Sequence, residues 1–296
     1  MVKPVFTIEF QAMASRCEIR LAAASGAEAR ALAEPALEEV RRIEAKFSRY
    51  RADSIVSRIN AAAGVEPVAC DEETLALLDY ADAVHASSGG RFDITSGVLR
   101  KAWDFRLGTL PSPQQLESLL PLVGWQHVRR EGAAVMLAKA GMELDFGGFG
   151  KEYAVDRAAE ILIAQGVGHG YVNLGGDMRF LGPRPDGAEW SIGIQHPRNA
   201  QATIASVPFS RGALATSGDY ERFFEVDGRR YCHILDPRSG MPVSYWRSVS
   251  IVSPMAIAAG SCSTTAMLLE RDGLDFLEQS GLSYLAIDQD GRIFRR

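Results

Sequence analysis

The chain has 296 residues, of which 47% are hydrophobic and 23% charged, and its formal net charge is -5. That length can bury a sizeable core, and the composition is that of an ordinary globular protein. The scattered Lys and Arg residues offer no basic face for nucleic acid, and no stretch approaches the roughly 20 apolar residues of a membrane span.

The start, Met-Val-Lys-Pro, leads straight into Val5–Phe10 and lacks the apolar core of a secretory leader. The expectation is therefore a cytoplasmic protein; export would need a leader outside this numbering. Val5 to Phe10 and Cys17 to Ala22 read as strands. Glu28 to Phe47 carries Leu32, Leu37, Val40, Ile43 and Phe47 at helical spacing. Asp71 is a plausible N-cap for a second helix ending near Ala86, where Ser88-Gly89-Gly90 breaks it. Ser112-Pro113 opens a third, since proline suits a first turn. Short strands are predicted at His127–Arg130, Ala134–Ala138 and Met142–Phe146, then a strong helix from Lys151 to Ala164. From Tyr171 to Val252, short apolar runs alternate with Gly, Pro and Asp clusters, the pattern of an antiparallel sheet. A buried helix over Ala256–Leu269, a short one from Gly273, and strands at Tyr284–Ile287 and Arg292–Phe294 close the chain. Strands and helices mix without a βαβ rhythm, so the class is α+β. The expected organisation is a single domain, 1–296, with two lobes. Cys17, Cys70, Cys232 and Cys262 show no CxxC spacing and are expected as reduced, partly buried thiols.

Four segments could carry chemistry. Leu144-Asp-Phe-Gly-Gly-Phe-Gly-Lys151 runs from a strand through a glycine-rich turn into a helix. That arrangement offers free N–H groups and a positive helix end to an anion, with Lys151 adding charge. A plain strand-to-helix turn with a surface lysine explains the local pattern equally well. The segment is not a Walker A loop, because Asp145 and Glu152 stand where Gly and Ser or Thr would be required. Val172-Asn-Leu-Gly-Gly-Asp177 is a second glycine turn, read locally as structural. Ala213 to Tyr220 and Tyr231 to Gly240 gather small polar groups around His233, whose ordinary pKa suits proton transfer, although a lone strand histidine is more often structural. Ala259-Gly-Ser-Cys-Ser-Thr-Thr-Ala266 brings several hydroxyls to an apolar helix. They could meet a hard cation or a phosphate, or simply cap the helix.

In this order, the four segments resemble the FAD:protein FMN transferase family, also called the ApbE family. Phe47-Ser-Arg-Tyr-Arg-Ala-Asp-Ser54 with Ile59-Asn60, and Phe92-Asp-Ile-Thr-Ser-Gly97 with Trp103-Asp-Phe105, extend the resemblance from about Met13 to Leu268. The resemblance implies an ApbE-like α+β fold related to the T-fold. It implies use of FAD and Mg2+, release of AMP, and transfer of FMN to a Thr or Ser hydroxyl of a target flavoprotein. It places Met13, Tyr50, Trp103, Asp104, Phe105, Asp145, Lys151 and Ile234 at FAD. Aromatic groups such as Tyr50 and Trp103 would pack on its flat rings. It places the Gly148 carbonyl and the Ser263 and Thr264 hydroxyls at the metal, with Lys151 at the diphosphate and His233 as the candidate base for the acceptor hydroxyl.

The sequence departs from that family at two positions. The motif A-D-x-x-S-T-A reads Ala259-Gly260-Ser261-Cys262-Ser263-Thr264-Thr265, so the metal-ligating carboxylate is replaced by Gly260. The glycine usual after the lysine is Glu152. Either Asp177 or Asp219 restores the lost ligand, or FAD phosphates, carbonyls and Thr264 hold the metal without it. An FAD-binding protein or an FAD diphosphatase is the alternative function.

Overall fold

A computed structural model describes residues 2–296. Its strands are β1 (Val5–Ala12), β2 (Ser15–Ala22), β3 (Val68–Ala69), β4 (Val128–Glu131), β5 (Ala134–Leu137), β6 (Gly170–Leu174), β7 (Asp177–Gly182), β8 (Trp190–His196), β9 (Asn199–Phe209), β10 (Gly212–Gly218), β11 (Phe223–Val226), β12 (Arg229–Cys232), β13 (Trp246–Ser253), β14 (Ser283–Asp288) and β15 (Ile293–Arg295). Its α-helices are α1 (Gly26–Phe47), α2 (Ile55–Ala61), α3 (Glu72–Ser87), α4 (Pro113–Leu119), α5 (Gly150–Ala164), α6 (Ala256–Leu268) and α7 (Gly273–Ser280).

Period-two burial builds the main sheet. In β2, Cys17, Ile19 and Leu21 point inward while the residues between them are less buried. The sheet has eight strands in the order β1-β2-β6-β7-β10-β13-β14-β15, every neighbour antiparallel. The β8–β9 ribbon follows β7, and the β11–β12 hairpin follows β10. A small sheet, β3-β5-β4, lies apart. The α+β reading holds.

Helix α5 packs between α1 and α6, and all three pack against the sheet. Their buried positions, Ala33, Val40 and Ile43 of α1 and Ala154, Val155 and Ala158 of α5, recur at helical spacing. α6 is almost wholly buried and mostly small (Ala259, Gly260, Ser261, Cys262, Ser263), which lets it sit close to both α5 and the sheet. Asp156 of α5 fixes that packing. Its two carboxylate oxygens accept from Ala256 N and Ile257 N, both at 2.9 Å, and Oδ1 also takes Arg179 at 2.6 Å. α6 thus receives its N-terminal cap from another helix.

The predicted Asp71 cap forms, accepting from Thr74 N, and the predicted start at Ser112-Pro113 adds a capping box between Ser112 and Gln115. Some elements differ from expectation. Helix α2, the short strand β3, the 3-10 helix Ile94–Lys101 and three single 3-10 turns are additional. Met142–Phe146 lies outside any strand ladder. The side-chain amide of Asn60 takes the place of a partner strand there: its Nδ2 donates to the Leu144 carbonyl at 3.0 Å, and its Oδ1 accepts from Leu144 N at 2.7 Å. All four cysteines are free and buried, as expected. Among the described residues no helix is long and apolar enough to cross a membrane.

Candidate functional site

The start of α5 meets three turns at one end of the main sheet. Asp145 precedes the glycine loop and is held from three sides. Its Oδ1 accepts from Gly147 N at 2.8 Å, while Arg49 (3.0 Å) and Arg100 (3.4 Å) reach Oδ2. Burial alone would raise its pKa, but the Arg100 and Arg49 charges outweigh that and hold the carboxyl below its usual range. The Phe92–Gly97 segment supports the loop from beneath. A Cβ at Gly97 would lie 2.6 Å from Asp145 Cβ, and one at Gly148 would lie 2.8 Å from Phe92 Cζ. Asp93 of that segment is structural, accepting from Thr95 N at 2.8 Å and Trp125 N at 3.0 Å.

Lys151 lies in the first turn of α5 and pairs with Asp177 at 2.7 Å. Burial opposes its charge, but Asp177 and Glu152 more than compensate and raise its pKa, so the ammonium is firmly charged. A Cβ at Gly175 would sit 3.6 Å from Lys151 Nζ and 2.8 Å from Ser15. The glycine turn between β6 and β7 is therefore needed for the lysine to reach the sheet end. This turn, read locally as plain structure, is part of the site.

Glu152 follows Lys151 and points at α6. It is 7% exposed, and its Oε2 is buried with no hydrogen-bond partner among the described residues. Burial, reinforced by the Asp177 charge, pushes its carboxyl up to about 8. A Cβ at Gly260 would fall 2.6 Å from Glu152 Cγ and 2.7 Å from its Cδ, and closer still to Oε1. The Glu152 side chain therefore occupies the space that a side chain at 260 would need. One turn along α6, the hydroxyls cluster: Ser217 of β10 contacts Ser263 at 2.8 Å and Thr264 at 2.9 Å, and Ser263 donates to the Gly260 carbonyl at 2.9 Å. Ser263 is fully buried; Thr264 is partly open. Ser217 and Glu152 are the members that sequence reasoning missed. The available signal for Glu152 was that it and Gly260 both depart from one motif set.

Met13 and Ala14 form the two-residue β1–β2 turn, both in left-handed backbone (φ 50° and 58°). That conformation costs an L-residue roughly 1–2 kcal/mol, and here the Met13 amide is secured by donating to Glu44 at 2.7 Å. Tyr50 is 79% exposed beside Arg49. Trp103 is 3% exposed, and its ring stacks on Phe105 and Tyr231 at 6.0 Å centroid separation. Its Nε1 donates to the Gly240 carbonyl at 2.7 Å, bracing the turn that follows His233. Its stacked neighbours are thus aromatic residues of this chain. Asp104 folds its own loop, accepting from Arg106 N and Leu107 N. Ile234 is buried.

His233 Nδ1 is buried and unpartnered among the described residues. Burial first, then the Arg100 and Arg222 charges, push its pKa down to about 4, so the imidazole is neutral at pH 7. Asp219 does not reach the hydroxyl cluster as a free carboxylate. Arg198 takes both its oxygens at 2.7 and 2.6 Å, and Arg230 approaches at 3.6 Å. Asp177 is already engaged by Lys151. Among the described residues no group of three or more His, Cys, Asp or Glu is set to hold a metal; a cation here would have to draw on hydroxyls and carbonyls as well.

Comparison with known proteins matches residues 13–286 to the model of the ApbE family. A FAD:protein FMN transferase of Klebsiella pneumoniae is 37% identical over 229 residues, covering 75% of this chain and 71% of that protein. The enzyme of the same description from Treponema pallidum is 34% identical over 283 residues, covering 87% and 78%. Among solved structures, the ApbE protein of Thermotoga maritima superposes with a TM-score of 0.91 at 34% identity, covering 99% of this chain and 97% of that one. The flavin transferase ApbE of Vibrio cholerae gives 0.88 at 27% identity, with the same coverage.

Proposed function

Because the chain belongs to the ApbE family, we propose that it is a FAD:protein FMN transferase, moving FMN from FAD to a Thr or Ser hydroxyl of a target flavoprotein with release of AMP. The observation that carries this reading is the anion-ready end of α5. A glycine loop, a helix start with no side-chain cap and a firmly charged Lys151 converge there, which suits a diphosphate. Met13, Asp145 and Gly148 lie on the turns bordering that point, with Arg49 and Arg100 neutralising Asp145.

The acceptor hydroxyl oxygen forms a bond to the FMN phosphorus. The diphosphate bond to AMP breaks, and AMP leaves with the bridging oxygen. The acceptor's proton goes to His233, whose neutral imidazole can take it at pH 7. Lys151 holds a phosphate oxygen and offsets charge as it builds on the leaving group. The donors beside it fit a hard cation: the Thr264 and Ser263 hydroxyls, the Gly148 carbonyl and the buried, unpartnered carboxylate oxygen of Glu152. Mg2+ bound there would supply further neutralisation of the phosphates. Tyr50 is free to cover a flat ring, whereas Trp103 and Phe105 support the His233 side of the site from within.

The test is to incubate the protein with FAD, Mg2+ and a candidate flavoprotein and weigh the target. A mass gain of one FMN with equimolar AMP supports transfer. AMP and FMN without a labelled target indicates a diphosphatase, and bound, intact FAD indicates a binding protein; either result overturns the reading.

A further inference from the structure

Two residues that separately look like defects face each other across the α5–α6 interface. Gly260 leaves a gap in the hydroxyl-bearing motif, and Glu152 fills that gap from the opposite helix, its side chain lying where a Cβ at 260 would go. Glu152 is 7% exposed, and Oε2 has no hydrogen-bond partner among the described residues. A carboxyl buried this way can carry its charge only with a cation beside it. Asp177 cannot serve in its place, since it is tied to Lys151 at 2.7 Å, and Asp219 is held by two arginines. Positions 260 and 264 share one helical face. A carboxylate lying over Gly260 is therefore one turn from the Thr264 hydroxyl, which Ser217 orients at 2.9 Å.

We infer that Glu152 is the carboxylate ligand of the divalent-cation site, delivered from α5 in exchange for the aspartate that the family motif delivers from α6. The two departures are then one exchange of position, not the loss of a ligand. This inference rests on the FMN-transfer reading above, which supplies the reason for a cation. It also predicts which combinations the site tolerates: the native pair Glu152 and Gly260, or both positions exchanged together as Glu152→Gly/Gly260→Asp, but neither of those substitutions alone.

The experiment measures Mn2+ binding by electron paramagnetic resonance of the free ion at saturating FAD, corrected for Mn2+ held by FAD alone, with no turnover involved. Glu152→Gln keeps the shape and should weaken Mn2+ binding at least about tenfold, since even outer-shell losses reach that range. Glu152→Gly/Gly260→Asp should restore binding to near the wild-type value, whereas Gly260→Asp alone should not strengthen it. Wild-type affinity in Glu152→Gln, or failure of the folded double variant to recover, overturns the assignment. Flavin fluorescence quenching by the wild-type protein in EDTA is read separately. Absence of FAD binding there defeats the transferase reading itself, whereas FAD binding with Mn2+ affinity indifferent to Glu152 defeats only the ligand assignment.

Discussion

Gly260→Ala isolates the steric half of the α5–α6 relationship. In an ordinary helix interior, replacing glycine by alanine stabilises by about 1 kcal/mol. Here the added methyl would sit 2.6 Å from Glu152 Cγ and 2.7 Å from Cδ. At 7% exposure Glu152 has little room to swing away, so overpacking of about 1–3 kcal/mol opposes the gain. The net expectation is a loss of about 0–2 kcal/mol, which for a chain of this length lowers Tm by up to about 3 °C. In a Glu152→Ala background the methyl meets open space, and the same substitution should instead raise Tm by about 2 °C. The double-mutant cycle, read by chemical denaturation, should give a coupling of about 1–3 kcal/mol. If Gly260→Ala has the same effect in both backgrounds, the two residues do not touch and the exchange argument fails.

Lys151→Met should weaken FAD binding by about ten- to a hundredfold, the range for loss of a charge-assisted bond. It should also destabilise the protein by roughly 1–3 kcal/mol, because Asp177, with its side chain 4% exposed, is left buried without its cation; fluorescence titration and denaturation read the two effects. Asp156→Ala removes the cap from α6 and strands Arg179, so a loss of about 3 kcal/mol is expected by urea denaturation. His233 binds its proton less well folded, near pH 4, than unfolded, near 6.5. The unfolded state therefore takes up more protons between those values, and stability falls as pH drops through that window while remaining intact above it. His233→Gln should remove about 2 kcal/mol of that acid sensitivity after allowance for partial exposure, seen as Tm profiles that diverge below pH 6.5.

Much of the fold is visible in the periodicity. The helices α1, α3, α5 and α6 and the terminal strands follow from apolar spacing and from caps such as Asp71 and Ser112. The failure at Met142–Phe146 has a specific cause. Its apolar alternation suggests a ladder, but the backbone partner is the Asn60 side chain, and no local pattern announces a contact between residues so far apart in sequence. The same limit governs the site. Lys151 and the hydroxyls of α6 each have an equally good structural explanation locally, and only the order of the segments along the chain, shared with the ApbE family, sets them apart. Trp103 could not be sorted into core or ligand surface, since an aromatic residue suits either until its neighbours are known. Glu152 looked like a blemish because its meaning depends on Gly260, a residue 108 positions away on a different helix. Asp219 looked available because its arginine partners arrive from β12 and the β8–β9 ribbon.

The central claim is transfer of the FMN half of FAD, and it is tested most directly by position-specific label. The protein is supplied with Mg2+, a target flavoprotein and FAD carrying radioactive phosphorus either in the FMN-side phosphate or in the AMP-side phosphate. The FMN-side label should become acid-precipitable with the target, in stoichiometric amount and only with Mg2+ present, while the AMP-side label stays entirely in solution. Both labels remaining soluble, or both entering the precipitate together, would contradict it.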